Sequence, residues 1–348
     1  MTEQKHDLDL DQLKIFLKNH YHNEKIAEVI SCSKENAVPD GTNFASLVHR
    51  IKFLYLNNEG RKRTKSVIVK TESINENNKD VVKPQAFAPE TKMYRTILPI
   101  MEDLMEEVGD KRDLLWPKFL GFVPYDMIAF EDLLDMGYSQ PKRKQCFDYS
   151  HAKLALRSIG RFHAMSKVLM ARGHIAADDG KSLGITKSDS MTRRGWDVVL
   201  TVMTDDMTNN WGEEWKGLAD RLRSQATGIP GKLHALGENY DTRFKVMNHG
   251  DLWFGNLIFK YMDGEEHLPI SVKIIDYQDC HINSFIYAQF AYTVVHVLMT
   301  AEVDKALDVA KMKTHSPHEI VDKTVFSDGK VLNCIGEDLK FLVGKGVI

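Results

Sequence analysis

Apolar residues recur along the chain in two rhythms, and the change of rhythm divides it. Over residues 8–30, Leu10, Leu13, Leu17 and Tyr21 fall on one stripe, which predicts an amphipathic helix. The Pro-Asp-Gly-Thr-Asn run at 39–43 is a turn signal. From 44 to 56 the rhythm becomes two: Ile51, Phe53 and Tyr55 interleave with Arg50 and Lys52, as in a half-buried strand. A polar turn with Gly60 and the β-branched run Val67, Ile68, Val69 ending at Lys70 complete a hairpin over 44–70. Residues 71–83 are polar and predict a loop.

A helix is predicted over 89–108 from Met93, Ile97 and Ile100, with Pro99 ending or kinking it. Two short strands follow, 119–122 and 127–130, separated by Pro124. Beyond Asp132 the helical period dominates, with Ala152, Ala155, Leu156, Ile159, Phe162 and Leu169 on one stripe. Residues 180–212 predict a loop plus a helix around Val198, Val199 and Leu200. Val246–Met247 and 257–259 bracket a dense polar motif, and 272–275 is another β-branched strand. No internal repeat appears. The order gives an α+β fold with a seam near residue 132.

Composition narrows the classes. At 348 residues and 43% hydrophobic content, the chain can bury a large core as two domains or one bilobal unit. Its net charge of −3 supplies no basic field for nucleic acid. Cys32, Cys146, Cys280 and Cys334 are far apart and form no Cys-x-x-Cys pair, which argues against a zinc site or disulfide framework. Residues 1–11 are polar, with no signal-peptide core, and there is no Asn-x-Ser/Thr acceptor. Both point to a cytoplasmic setting. Residues 282–301 carry no charge and could span a bilayer by length. With Asn283, Ser284, Gln289 and His296 inside it, the stretch reads as a buried core helix rather than a membrane span.

The chemistry concentrates in His249-Gly250-Asp251-Leu252-Trp253-Phe254-Gly255-Asn256. Phosphoryl transfer needs a carboxylate to accept the attacking hydroxyl's proton and oxygen ligands to hold Mg²⁺ on the phosphates. An Asp followed by four residues and an Asn can serve both needs. Asp276, directly after the strand at 272–275, suits a second metal ligand; by itself it equally reads as a turn residue closing a strand. His249 reads either as an acid–base group or as a ring that hydrogen-bonds backbone and holds the loop.

The pair His-Gly-Asp-x-Trp-x-x-Asn and Asp276-Tyr277-Gln278 resembles the choline kinase and aminoglycoside phosphotransferase superfamily, and within it the ecdysteroid kinase-like family. The resemblance implies a bilobal protein-kinase-like fold, ATP and Mg²⁺ as cofactors, and a small hydroxylated acceptor such as an ecdysteroid. Asp251 would be the base, with His249 beside it, and Asn256 and Asp276 the metal ligands. Residues 41–46 resemble the family's phosphate-covering loop, with Gly41, Asn43 and Ser46 toward the nucleotide and Thr42 in place of an Asp. Lys70 matches the phosphate-contacting lysine, and Glu90 the helix glutamate that pairs with it. The tract with Glu131 and Leu133 resembles the adenine hinge, where Asp132 is also suited to cap the next helix. Gly160 to Ser166 resembles a helix that follows the hinge; His163 within it reads as structural.

These readings give a nucleotide-binding lobe at 1–132 and a helical catalytic and acceptor lobe at 133–348. The likeness departs after Gln278. Asp279-Cys280-His281-Ile282-Asn283-Ser284-Phe285 replaces a Pro-containing turn and an Asp-Leu pair, and 72 residues follow Asp276, fewer than the family carries. A catalytically impaired, ligand-binding pseudokinase and a choline- or ethanolamine-type kinase therefore stand as alternatives. A protein kinase is disfavoured by the missing Gly-x-Gly-x-x-Gly, His-Arg-Asp and Ala-Pro-Glu motifs.

Overall fold

A computed structural model describes residues 10–20, 26–37, 46–72, 88–124, 127–141, 147–176, 179, 190–228, 231 and 245–284, with short pieces between 311 and 344. The chain is α+β and divides into two compact units. One comprises residues 1–162 with 254–278, the other 163–253 with 279–348. Each is built from two stretches of chain. Among the described residues no helix is long and apolar enough to cross a membrane.

The first unit holds a five-stranded antiparallel sheet in the order β1-β2-β3-β5-β4. Its strands are β1 (Ile26–Asn36), β2 (Ser46–Asn57), β3 (Lys62–Glu72), β4 (Phe119–Val123) and β5 (Met127–Glu131). The 44–70 hairpin forms as its pattern predicts, with Ile51 opposite Val67 and Val48 opposite Lys70. At its turn the Asn57 carboxamide oxygen accepts from the backbone N–H of Glu59 and Arg61. Alternation decides the faces. Ile51, Phe53, Val67 and Val69 point to one side and pack with Leu13 and Leu17 of α1 (Leu10–His20). Fully burying each leucine is worth about 2 kcal/mol. Phe16 of the same helix presses so close to Gly121 of β4 that a side chain there would collide with its ring.

Helix α1 ends at His20, and residues 26–36 are a strand, so the helix predicted over 8–30 is too long. The cause is visible in β1. Register shifts between Ile26/Glu28 and Val29/Ser31 make the half-buried positions Ile26, Val29 and Cys32 recur every third residue. Bulges thus imitate a helical period.

The helix predicted at 89–108 is three pieces: α2 (Ala88–Lys92), a π-helical turn Met93–Ile97, and α3 (Leu98–Glu107) with Pro99 in its first turn. Proline lacks an N–H and its ring crowds the carbonyl four residues back; the wider π turn absorbs both. A 3₁₀ turn Leu133–Met136 follows β5. The short strand β6 (Tyr138–Ser139) then joins β8 (Leu257–Met262) and β9 (Glu265–Ile274) in a second sheet, order β6-β8-β9.

Helix α4 (Tyr149–Ala171) begins in the first unit. Its buried stripe is Ala155, Ile159, Phe162 and Leu169; Leu156, placed on that stripe from sequence, lies 100° round the helix and is exposed. The second unit contains α5 (Ser190–Asn209) and α6 (Glu213–Gln225). Trp196, Val199, Met203, Trp211, Trp215 and Leu222 pack there with Ile320 of α7 (Pro317–Ile320) and Phe326. A two-stranded ladder pairs β7 (Lys245–Asn248) with β10 (His281–Ser284). Residues 282–284 are therefore strand, not the start of the expected core helix; 285–301 lie outside the described residues. So do the predicted turn at 39–43 and the loop from 73.

Candidate active site

The site in the first unit is built on strand ends. Lys70 sits near the end of β3 on the face opposite the α1 core, because Val67 and Val69 take the core side. Glu90 enters on α2. Asp276 stands two residues beyond β9. The Lys70 Nζ donates to Glu90 Oε2 at 2.7 Å and to Asp276 Oδ1 at 2.8 Å. The side chains of Lys70 and Glu90 are 11% and 1% exposed, that of Asp276 24%.

Burial by itself lowers the Lys70 pKa, but Asp276 and Glu90 outweigh it and hold the ammonium above the ordinary lysine value. Lys70 is therefore charged at neutral pH. Burial pushes the Glu90 carboxyl up, against the pull of Lys70 and of a hydrogen bond from the Tyr277 backbone N–H.

Asn256 is brought beside this group. Leu257 of β8 lies opposite Ile274 of β9, and the Asn256 carbonyl accepts from the Ile275 N–H at 3.0 Å. Asn256 and Asp276 thus flank neighbouring strand ends. The donor set is one carboxamide and one carboxylate, both hard oxygen ligands. Among the described residues no group of three His, Cys, Asp or Glu side chains gathers. Such a pair suits Mg²⁺ that draws its remaining ligands from phosphates and water, as this cation commonly does.

Asp276 has φ 68°, the one non-glycine positive φ among the described residues. Tyr277 beyond it is fully buried, with ring contacts to Tyr94, Trp116 and Phe162 at 5.6, 6.4 and 5.8 Å between centroids. The backbone turn at Asp276 is pinned on both sides.

The hinge tract is also in this unit. Asp132 is 4% exposed and caps the 3₁₀ turn by accepting from the Leu134 N–H at 3.1 Å. It also accepts from Ser66 Oγ at 2.7 Å and forms an ion pair with Arg50. Sequence reasoning found the cap but not the buried ion pair. The Glu131 N–H is engaged by the Lys118 carbonyl and its carboxylate by the Lys118 N–H. Leu133 is buried with Tyr138 and Ile258, and Ile275 packs against them. A cleft of about 860 Å³ opens on the sheet, lined by Ser33, Lys52, Ser66 and Asp135 among others. None of Lys70, Glu90, Asn256 or Asp276 lines it, and Ser66 is four residues, about 13 Å, along β3 from Lys70.

Asp251 and His249 belong to the second unit. His249 is 2% exposed, and its Nδ1 accepts from the Asp251 backbone N–H at 3.4 Å, the loop-holding role among its two readings. Gly250 has φ 88°, and any side chain there would enter the Asp279 carbonyl. Asp251 is half-buried, as are Trp253 and, in the first unit, Phe254. The Asp279 carbonyl also receives His281 Nδ1 at 3.0 Å. His163 is held near pKa 4 by burial, so it is neutral at physiological pH, consistent with a structural ring.

Gly41 and Asn43 lie outside the described residues, and Ser46 opens β2. The structure therefore brings Lys70, Glu90, Asp276 and Asn256 together in one unit, and groups Asp251 with His249 and Gly250 in the other.

Among curated proteins, none matches the chain. The model of the ecdysteroid kinase-like family matches residues 40–300, well over half of the 348. The chain therefore belongs to the ecdysteroid kinase-like family, which suggests a kinase-like phosphotransferase acting on small molecules.

Proposed function

We propose that the protein transfers the γ-phosphoryl group of ATP to a hydroxyl of a small molecule, an ecdysteroid or other apolar alcohol, using Mg²⁺. The observation that carries this reading is the buried contact of Lys70 with both Glu90 and Asp276. An ammonium fixed between two carboxylates, one of them partly exposed at a strand end, suits a lysine that meets the α- and β-phosphates beside a metal ligand.

In this reading the fold is bilobal and protein-kinase-like, with a nucleotide lobe to residue 132 and an acceptor lobe from 133. Backbone N–H groups of the loop with Gly41, Asn43 and Ser46 cover the phosphates. The tract with Glu131 and Leu133 borders the adenine through backbone groups. Asn256 and Asp276 would hold Mg²⁺, whose charge would offset that of the phosphates. Lys70, kept charged by its two carboxylates, steadies the α- and β-phosphates. Asp251 orients the acceptor hydroxyl and takes its proton as the oxygen bonds to the γ-phosphorus. The bond from γ-phosphorus to the bridging oxygen breaks and ADP leaves. His249 holds Asp251 in place.

The test is ADP release from ATP and Mg²⁺ with a panel that includes ecdysone, choline and a phenolic glycoside. Release above background with one acceptor, lost in Asp251→Ala, supports the reading. Mg–ATP binding with no turnover on any acceptor supports instead a nucleotide-binding module. That second reading is motivated by the departure at 279–285, where β10 runs in place of the expected Pro-containing turn. No nucleotide-dependent thermal shift sinks both.

A further inference from the structure

Lys273 plays no part in the chemistry above, yet few lysines are so enclosed. It lies in β9, three residues before Asp276, and is 4% exposed. Its neighbours Val272 and Ile274 are also buried, so the strand is covered on both faces and a charge here stands out. Lys and Glu are almost never fully buried without partners, and this ammonium has several.

The Lys273 Nζ donates to the Leu114 carbonyl at 3.1 Å and to the Trp116 carbonyl at 3.0 Å. The Glu131 carboxylate lies at 4.0 Å, and the Tyr138 ring centroid at 5.7 Å. Three elements meet at this one group: strand β9, which leads into Asp276, the segment that follows α3, and the end of β5.

The segment after α3 is a strap. Arg161 of α4 binds one end, with Nε on Asp110 at 2.8 Å and a second nitrogen on the Asp113 carbonyl at 2.7 Å. The other end is laid along β9. Ser271 Oγ donates to Asp113 at 3.2 Å, and the Ile274 N–H to the Leu115 carbonyl at 2.6 Å. Trp116 then reaches back to Glu102 of α3 through its indole N–H at 2.8 Å. Helix α3 continues, through the π turn, the helix that carries Glu90. The strap thus ties Glu90's helix to Asp276's strand, and Lys273 is its clasp.

We propose that Lys273 is a positioning residue: it sets the Asp276 carboxylate at the right distance from Lys70 and Glu90, and so tunes the Mg–nucleotide site without touching ligand. This rests on the kinase reading. Groups that orient a metal's ligands typically carry about 10- to 100-fold in metal affinity or activity.

The test uses Lys273→Met, which keeps the stem and removes the donors, in the full chain. Mg²⁺-dependent ATP affinity is measured by calorimetry, and amide exchange is followed in the nucleotide-free protein. The expected result is an affinity loss of about tenfold, with faster exchange in the peptides holding residues 274–278 and 88–97. Lys273→Arg, which restores a cation with several donors, recovers most of the affinity. If Lys273→Met does not fold, Ser271→Ala, which frees Asp113, shows a smaller shift in the same direction. Unchanged affinity and exchange in whichever variant folds, with only a lower melting temperature, overturns the inference. Wild-type protein that binds no Mg–ATP overturns the kinase reading and this inference with it, whereas normal wild-type binding beside an unaltered variant overturns the inference alone.

Discussion

Removing the Lys70 ammonium strands Glu90, and the size of the penalty follows from burial and pH. Glu90 is 1% exposed, so in Lys70→Met its carboxylate has no water and no cation partner. Breaking one side of a buried pair costs about 3–5 kcal/mol. Glu90 can instead take up a proton, which caps the penalty. From the ordinary value of 4.5, protonation costs about 4 kcal/mol at pH 7.5 and about 1.4 kcal/mol at pH 5.5. A carboxyl whose folded pKa is raised contributes most below its unfolded value and loses that contribution as pH climbs through the folded one. The variant should therefore be about 3–4 kcal/mol less stable than wild type at pH 7.5 and only about 1.5 at pH 5.5. Lys70→Met/Glu90→Leu should recover much of the loss, because Asp276, a quarter exposed, keeps water. The coupling between the two substitutions should exceed about 2 kcal/mol. Urea unfolding of the three proteins at both pH values measures this. A penalty equal at both, or strictly additive substitutions, would refute the stranded-carboxylate argument.

Two further outcomes follow from local geometry. Gly250→Ala forces a side chain into the Asp279 carbonyl at φ 88°, and should cost at least about 2 kcal/mol in thermal unfolding together with most ADP release; a variant that melts with wild type refutes the close approach. His163, held near 4 against an ordinary 6.5, is charged in the unfolded chain before the folded one. The His163 contribution should therefore be flat above pH 6.5 and fall by roughly 3 kcal/mol as pH drops toward 4, a component of the acid slope that His163→Gln should remove in titrations followed by circular dichroism.

What the sequence made legible was of two kinds. Period-two alternation placed the β2–β3 hairpin because one face is core and the other polar, so a one-residue error would invert every side chain. Motif spacing named Asn256 and Asp276, the family resemblance named Lys70 and Glu90, and three of these four meet directly. The failures have physical causes. Strand β1 sits at the sheet edge, and its bulges gave half-buried positions the spacing of a helix. Leu156 is apolar but lies off its helix's buried stripe, since composition does not set azimuth. Arg50, Arg161 and Lys273 act here through contacts 48 or more residues away in sequence, some of them to backbone carbonyls, which no local pattern encodes. One signal was available: a lysine inside the otherwise apolar run Val272 to Ile275, where a strand buried on both faces should read as continuously apolar.

Asp276 does not behave as a residue that only closes its strand. An aspartate that merely closes a strand should sit in solvent and bond its own loop. This one adopts φ 68°, which for a non-glycine residue costs about 1 kcal/mol. It turns its carboxylate onto a buried lysine. The residue before it donates to the Asn256 carbonyl, and the residue after it is enclosed by three aromatic rings. Such a conformation persists only where the surroundings over-determine it. Local preference and global fold conflict at Asp276, and in natural sequences such conflicts gather where function demands a geometry that stability alone does not select.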